Sequence, residues 1–382
     1  MNKIEMSSSE LTDSDVQAVL EVLRSERLAF GPKTMEFERI MSHYIGVKHA
    51  IAVNSGTAAL HLIVRALGIG PGDEVLVPSF TFAASVNAIL YEGAAPIFID
   101  IEPDTYNLDP GDMERKITKH TKAIMAVDIF GHPAEWDRIL EIAGKHHLKI
   151  IDDSCEALGA EYKGKKIGKF GDAAAFAFYP NKQITTGEGG IIVTDNDEIA
   201  KLCQSMRNQG RGEMGSWLEH ERLGYNYRMD EMSAALGVSQ LRRIETFLKK
   251  REQVAALYTE RLKPYDFVKV PQIKPYVRMS WFVYVVTLAD RLERDSIMMA
   301  LEEQGIPSRG YFSPIHQQQY IRKYLHNFGC ILPVTESVSK RTIALPFHNN
   351  LGFEEIEYIV EGLKTAVYSS AKQEYLQKIN EV

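Results

Sequence analysis

Residues 74–100 read EVLVPSFTFAASVNAILYEGAAPIFID, two apolar runs on either side of a helix-like segment. The runs EVLVP and APIFID are almost continuously apolar, which is typical of strands that are covered on both faces. The segment between them predicts a helix over Ala83–Tyr91. Because this alternation continues from about residue 50 to 195, the sequence predicts an α/β fold with a mostly parallel sheet sandwiched by helices.

The rest of the chain divides into two regions around this alternating core. Residues 1–45 predict two helices, separated by Gly31-Pro32. A long helix is predicted from near Asp230 to a basic end at Lys249-Lys250-Arg251, and it could link the large domain to a smaller one. Beyond it, strands at Ser280–Thr287 and Thr342–Leu345 alternate with amphipathic helices. We therefore expect a large domain over 1–248 and a smaller α+β domain over 249–382.

Composition excludes several classes of protein. The 382 residues carry a formal net charge of −7 and show no dominant basic stripe, so nucleic-acid binding is not expected. The three cysteines, Cys155, Cys203 and Cys330, are scattered, which predicts neither a disulfide framework nor a metal site. The polar N-terminus has no signal-peptide core, and no apolar run approaches the ~20 residues that span a bilayer. A cytoplasmic protein without a membrane partner is expected.

One apparent phosphate-binding motif is rejected. Gly159–Lys165 reads GAEYKGK and matches the first part of a P-loop, but Lys166 stands where that motif needs Ser or Thr for Mg²⁺. The segment EYKGKKIG also predicts a hairpin instead of a strand-to-helix turn. A nucleotide triphosphatase is therefore not indicated.

A different segment predicts an anion site. Asn54–Leu60 reads NSGTAAL, follows an apolar strand and opens a helix. Free N–H groups and the helix dipole favour an anion at such a start, and Gly56 permits close approach while Thr57 adds a hydroxyl. Taken alone, these residues are explained more simply as an ordinary N-cap by Ser55 or Thr57.

Two further segments contain reactive side chains. Ile150–Gly159 reads IIDDSCEALG, so two acidic residues end a buried strand where α/β sheets bind ligands; helix capping is the alternative. Phe176–Gly190 reads FAFYPNKQITTGEGG, with Lys182 between a strand and a Gly-rich turn. Burial or neighbouring cationic character lowers the pKa of a lysine and suits Schiff-base chemistry, although most lysines lie on the surface. Leu223–Asp230, LGYNYRMD, precedes the long helix and could be simply a loop with a capping Asp230.

In this order, the segments resemble those of the DegT/DnrJ/EryC1/StrS sugar aminotransferases, which are fold-type I enzymes dependent on pyridoxal 5′-phosphate (PLP). The resemblance covers nearly the whole chain, and its specificity lies in the joint order of the motifs. It includes FGP at 30–32, GDEV through PSFTF at 72–82, RNQG at 207–210, and GIP through PIH at 305–316, besides the segments described above.

The resemblance implies roles for individual residues. Lys182 matches the lysine that holds PLP as a Schiff base, and Asp153 matches the aspartate that pairs with the pyridine nitrogen. Phe82 matches the aromatic residue stacked on the ring, and Glu156 a position near the ring's 3-hydroxyl. The remaining matches are Gly56, Thr57 and Ala58 for the phosphate and Asn226 for the phosphate in the neighbouring subunit of a homodimer. One departure is Ala177, which replaces a serine that often contacts the phosphate, so somewhat looser PLP binding is expected.

The implied reaction moves an amino group from an amino acid, expected to be L-glutamate, to a 3- or 4-keto-6-deoxy sugar attached to a nucleotide diphosphate. Such an amino sugar would serve surface polysaccharide or natural-product biosynthesis. Alternatives are a keto-cyclitol aminotransferase, a sugar dehydratase, which carries histidine at the position of Lys182, and a non-catalytic regulatory or sensor protein. Four residues are candidate sugar-nucleotide contacts, with interface or packing roles as the alternative: Arg228, Arg309, Tyr311 and His316.

Overall fold

A computed structural model describes residues 4–212, 219–324 and 330–380, with backbone only over 371–380. Its large sheet contains seven strands: β1 (His49–Val53), β2 (Glu74–Pro78), β3 (Ala95–Ile99), β4 (Thr121–Val127), β5 (Lys149–Asp153), β8 (Ala173–Ala177) and β9 (Gly190–Thr194). Two small sheets are formed by β6 (Glu161–Tyr162), β7 (Lys165–Lys166) and β11 (Val277–Arg278), and by β10 (Val268–Lys269), β12 (Tyr284–Leu288) and β13 (Thr342–Leu345).

The helices surround these sheets. They are α1 (Asp13–Leu23), α2 (Pro32–Ile45), α3 (Gly56–Ala66), α4 (Ala83–Tyr91), α5 (Pro110–Arg115), α6 (Trp136–His146), α7 (Asp197–Arg207), α8 (Glu231–Leu241), α9 (Ile244–Leu262), α10 (Arg294–Glu303), α11 (Gln319–Tyr324), α12 (Pro333–Ser339) and α13 (Phe353–Asn380).

The large sheet has the order β1-β9-β8-β5-β4-β2-β3. From β8 to β3 every neighbouring pair is parallel, whereas β9 runs antiparallel to both β1 and β8. Most residues of these strands are buried, and the exceptions lie mainly at strand ends, as the continuous apolar runs predicted. The α/β class with a mostly parallel sheet between helices is confirmed.

The long helix predicted from Asp230 is two helices. Asp230 caps α8 through a 2.9 Å hydrogen bond from the Ser233 N–H, as its residue type favours. The chain leaves helical geometry at Arg243, where φ is −110° and ψ is 8°, and α9 begins at the next residue. The Arg243 guanidinium pairs there with the buried carboxylate of Asp15, an interaction that the helical pattern does not reveal. Since α9 runs through residue 248, the expected domain boundary falls inside a helix and stays a prediction.

The C-terminal region has a core of its own, formed by β10, β12, β13, α10, α13 and the second half of α9. Ile4 belongs to this core, and the Phe347 N–H donates to the Met6 carbonyl at 3.0 Å. The N-terminal segment thus packs on the small region, although the sequence assigned it to the large domain. The P-loop-like segment forms the β6–β7 hairpin, as predicted.

Within residues 4–212, 219–324 and 330–380, no helix is long and apolar enough to cross a membrane. Nor does any group of three or more His, Cys, Asp or Glu side chains there gather as metal ligands would.

Candidate active site

Lys182 lies in the loop between β8 and β9, beyond the carboxyl ends of the parallel strands. Its side chain is only 13% exposed, and Nζ lies 3.7 Å from Oε1 of Glu156. The same Nζ stands 3.7 Å above the centre of the Phe282 ring. The amine is therefore enclosed between a carboxylate and an aromatic face, unlike an ordinary surface lysine.

Glu156 is held in place by the main chain. Its Oε2 accepts a 2.9 Å hydrogen bond from the Phe130 N–H, and burial raises the pKa of its carboxyl. Tyr311 lies close enough for this carboxylate to influence it: burial, assisted by Glu156, raises the pKa of the phenol to about 12. The Tyr311 ring also packs edge-on against Phe130 at 6.0 Å. Tyr311 thus packs against Phe130, the residue whose N–H holds Glu156.

The two aspartates that end β5 point to opposite faces of the sheet, as adjacent strand residues must. Asp153 Oδ2 accepts a 2.7 Å hydrogen bond from the Ser85 hydroxyl, and Oδ1 accepts one of 3.2 Å from the Cys155 N–H. Asp152 instead accepts from Ser154 at 2.5 Å and from the Gly168 N–H at 3.1 Å. Asp153 is therefore the aspartate on the side of α4.

The start of α3 is tightly constrained. A Cβ on Gly56 would lie 2.7 Å from the Ala177 Cβ and 3.0 Å from the Cys155 Sγ, so only glycine fits. The Ser55 hydroxyl is the N-cap and accepts a 3.1 Å hydrogen bond from the Ala58 N–H. The ordinary capping role is therefore present, and it occupies the N–H of Ala58. Thr57 is half-buried on the first turn. Ala177, which stands where the family pattern often has serine, lies against Gly56 at this helix start.

Phe82 and Asn226 are both exposed. Phe82, at the N-cap of α4, is 63% exposed, an unusual state for a large aromatic side chain. Asn226 pairs through its backbone with Asn208, whose side chain accepts a 3.0 Å hydrogen bond from Arg228 Nη1. Exposure leaves each free to contact a bound ring or a second chain.

The remaining two candidate sugar-nucleotide contacts, Arg309 and His316, differ in exposure. Arg309 is exposed, and its Nη1 donates to the Ser308 carbonyl at 2.8 Å. His316 is buried, with Nδ1 2.7 Å from the Ser79 hydroxyl and Nε2 3.3 Å from Oε1 of Glu336. Since both of its ring nitrogens are engaged inside the protein, these contacts favour the packing alternative for His316.

Two residues at the site were missed by the sequence reasoning. Ser85 lies in the first turn of α4 and resembles any helical serine until Asp153 is placed beside it. Phe282 is distant in sequence and comes to Lys182 through the pairing of its N–H with the Phe130 carbonyl at 3.0 Å. Neither residue has a local sequence signal that would have revealed it.

The groups at this site fit PLP. They comprise an enclosed lysine amine, a buried aspartate held by a hydroxyl, an exposed aromatic ring and a helix start that tolerates only glycine. Together with the fold, this site defines a PLP-dependent enzyme of the aminotransferase type.

The comparisons identify the family. Residues 9–364 match the DegT/DnrJ/EryC1/StrS aminotransferase family, and the chain belongs to it. Among curated relatives, the GDP-perosamine synthase of Caulobacter vibrioides is 39% identical over 366 residues, which is 94% of this chain and 97% of the relative.

Solved structures of aminotransferases are similar to this chain. Helicobacter pylori PseC, an aminotransferase involved in the biosynthesis of pseudoaminic acid, matches with a TM-score of 0.91 at 31% identity, over 96% of this chain and all of that one. The PLP form of Spr1654 from Streptococcus pneumoniae matches with a TM-score of 0.90 at 29% identity, over 96% and 99%. The expected family, fold and cofactor are confirmed.

Proposed function

We propose that this protein is a cytoplasmic PLP-dependent aminotransferase that moves an amino group from L-glutamate to a keto group of a nucleotide-diphosphate sugar. The observation that supports it best is the enclosed Lys182 amine, 3.7 Å from Glu156. Lys182 follows β8, which is the neighbour of the strand β5 that ends at Asp153. Relatives named for GDP- and UDP-sugar amination support the substrate class.

PLP, when bound, supplies an electron sink for deprotonation at Cα of the amino donor. Lys182 would hold the cofactor and, once displaced by the donor, its free amine would move the proton as general base and then acid. Asp153, steadied by Ser85, would keep the ring nitrogen protonated. The first turn of α3, with Gly56 and Thr57, would bind the phosphate.

Glu156 would orient the amine of Lys182. The carboxylate lies 3.7 Å from the amine, and its own position is fixed by the Phe130 N–H. Burial raises the pKa of the Glu156 carboxyl. Tyr311, whose ring packs against Phe130, is a candidate sugar contact, with Arg228 and Arg309.

We also propose that the enzyme is a homodimer in which Asn226 reaches the phosphate of the partner's site. The exposure of Asn226 supports this. Co-purified heterodimers of Lys182→Ala and Asn226→Ala chains give a direct test, because one of their two sites would regain both residues. Activity near half that of the wild type, from two weakly active parents, is expected. Heterodimers no better than the parents would exclude sharing through Asn226.

The substrate class is tested with the amine-loaded enzyme and a panel of keto compounds, read by mass spectrometry. Amination of a keto nucleotide sugar at C3 or C4 is expected. Amination of a keto-cyclitol alone would replace the proposal by that alternative. Failure with every keto compound and every amino donor would instead favour the non-catalytic regulator.

A further inference from the structure

Arg251, on α9, reaches the back of the site with a buried guanidinium. The residue is 3% exposed. Its Nη2 donates to the Lys182 carbonyl at 2.9 Å, and its Nη1 donates to the carbonyls of Trp281 and Phe282 at 2.9 and 3.2 Å. One side chain thus joins the backbone of the lysine to that of the aromatic residue on which the lysine's amine rests.

The charge of Arg251 is uncompensated in the part of the chain that the structure describes. No carboxylate there lies within ion-pair distance of the guanidinium, whose described hydrogen bonds all go to main-chain carbonyls. Burial lowers the pKa of Arg251 to about 10, so the group stays charged at neutral pH. Burying an unpaired cation is costly, and a well-packed apolar residue would often be as stable. The geometry therefore points to a role besides stability.

The segment held by Arg251 is strained. Trp281 has a φ of 55°, in the left-handed region that bulky residues rarely adopt. Such conformations persist where the surrounding structure enforces them, and they cluster at functional sites. The bonds to the carbonyls of Trp281 and Phe282 fix this turn, and the Phe282 ring is thereby kept under the Lys182 amine at 3.7 Å.

We propose that Arg251 is a positioning residue that holds Lys182 and Phe282 in a fixed relation, so that the lysine amine is aligned for proton transfer. This inference rests on the proposed aminotransferase function. The planar guanidinium can bond to three carbonyls at once, which the single ammonium of a lysine reproduces only in part.

The test compares Arg251→Met and Arg251→Lys with the wild type. Tyr258→Phe is the matched control. Tyr258 lies on α9, as Arg251 does, and the change removes its buried hydrogen bond to the Pro346 carbonyl without affecting a contact of Lys182. Cofactor-free proteins are examined by amide hydrogen exchange over 180–183 and 281–283, and by the rate at which added PLP gives the absorbance of the lysine-bound form. Loaded proteins are examined in the glutamate half-reaction, in which kcat denotes the single-turnover rate at saturating glutamate and KM the half-saturating glutamate concentration.

Arg251→Met is expected to speed exchange selectively in those two segments, slow the appearance of the absorbance, and lower kcat by about tenfold or more while KM changes by less than about threefold. Arg251→Lys should recover part of each loss, and Tyr258→Phe should alter none of them. If Arg251→Met does not fold, Arg251→Lys must still show the selective exchange and the kcat loss.

Unchanged exchange and kcat in both Arg251 variants would overturn the inference. So would equal losses in Tyr258→Phe, since these would mark a general effect on α9. A wild type that forms the lysine-bound absorbance but does not react with glutamate would refute the proposed function instead, so the two failures are distinguishable.

Discussion

The Lys182 amine and the Glu156 carboxylate lie 3.7 Å apart in a site where both side chains are largely enclosed. The carboxylate is itself fixed, because its Oε2 accepts a 2.9 Å hydrogen bond from the Phe130 N–H. The direction in which the lysine amine points is therefore set in part by Glu156.

Glu156→Gln should lower the rate of the glutamate half-reaction by about tenfold and flatten its dependence on pH, because the amide does not titrate and no longer places a negative charge beside the Lys182 amine. Burial raises the pKa of the Glu156 carboxyl, so it titrates at a higher pH than an ordinary glutamate. The amide oxygen can still accept from the Phe130 N–H, so folding should be preserved. Single-turnover rates with glutamate across pH measure both changes. The same rate and the same pH dependence in the variant would show that Glu156 plays no part.

Ser85→Ala should lower the rate of the glutamate half-reaction by roughly ten- to a hundredfold. It removes the hydroxyl that donates to Asp153 Oδ2 at 2.7 Å, and hydrogen bonds to charged groups contribute about 1.5–3 kcal/mol. Ser42→Ala, which loses a comparable bond to the Arg39 carbonyl on α2, is the control and should react at the wild-type rate. Equal rates in all three proteins would remove Ser85 from the mechanism.

Ala177→Ser should tighten PLP binding by about tenfold or more, because it restores a hydroxyl beside the first turn of α3 and a bond to a charged phosphate contributes about 1.5–3 kcal/mol. Equilibrium titration of cofactor-free protein measures the Kd. An affinity unaffected by the hydroxyl would mean that another group already fills this position.

Gly56→Ala is the converse of this change. The added Cβ would lie 2.7 Å from that of Ala177, so α3 must shift and PLP affinity should fall. Retention of wild-type affinity in this variant would contradict the location of the phosphate cradle.

Asp128 and Asp152 form a buried pair on the opposite side of β5 from Asp153. Burial raises both carboxyl pKa values above the ordinary value near 3.9. The unfolded chain therefore releases these protons at lower pH than the folded one, and stability should decline as pH rises from about 4 through the raised values. Asp152→Asn should flatten this decline in the free energy of unfolding. Denaturant unfolding at several pH values measures it. An equally steep decline in the variant would exclude the pair as its source.

The fold was predictable because its strands are buried on both faces, and that produces apolar runs visible in the sequence. Helix α4 has the predicted bounds, whereas the strand predicted over Ser280–Thr287 is formed by Tyr284–Leu288. The break between α8 and α9 was missed because the apolar spacing continues across it; at the break, Arg243 pairs with Asp15, which is far away in sequence.

The site was predictable where a motif surrounds the residue, as for Lys182, Asp153 and Gly56. Their cofactor roles remain predictions, though the structure places them at one edge of the sheet. Ser85, Phe282 and Arg251 could not be found in this way, because each contributes through a contact made only by tertiary packing.

The most direct measurement of the central claim is the reaction of PLP-loaded protein with glutamate, with Lys182→Ala as the matched variant. The account predicts that the wild type converts its cofactor to pyridoxamine phosphate and releases 2-oxoglutarate, and that Lys182→Ala does neither at a comparable rate. A wild type that gives neither product with glutamate or any other amino donor, or a Lys182→Ala protein that reacts equally fast, would contradict it.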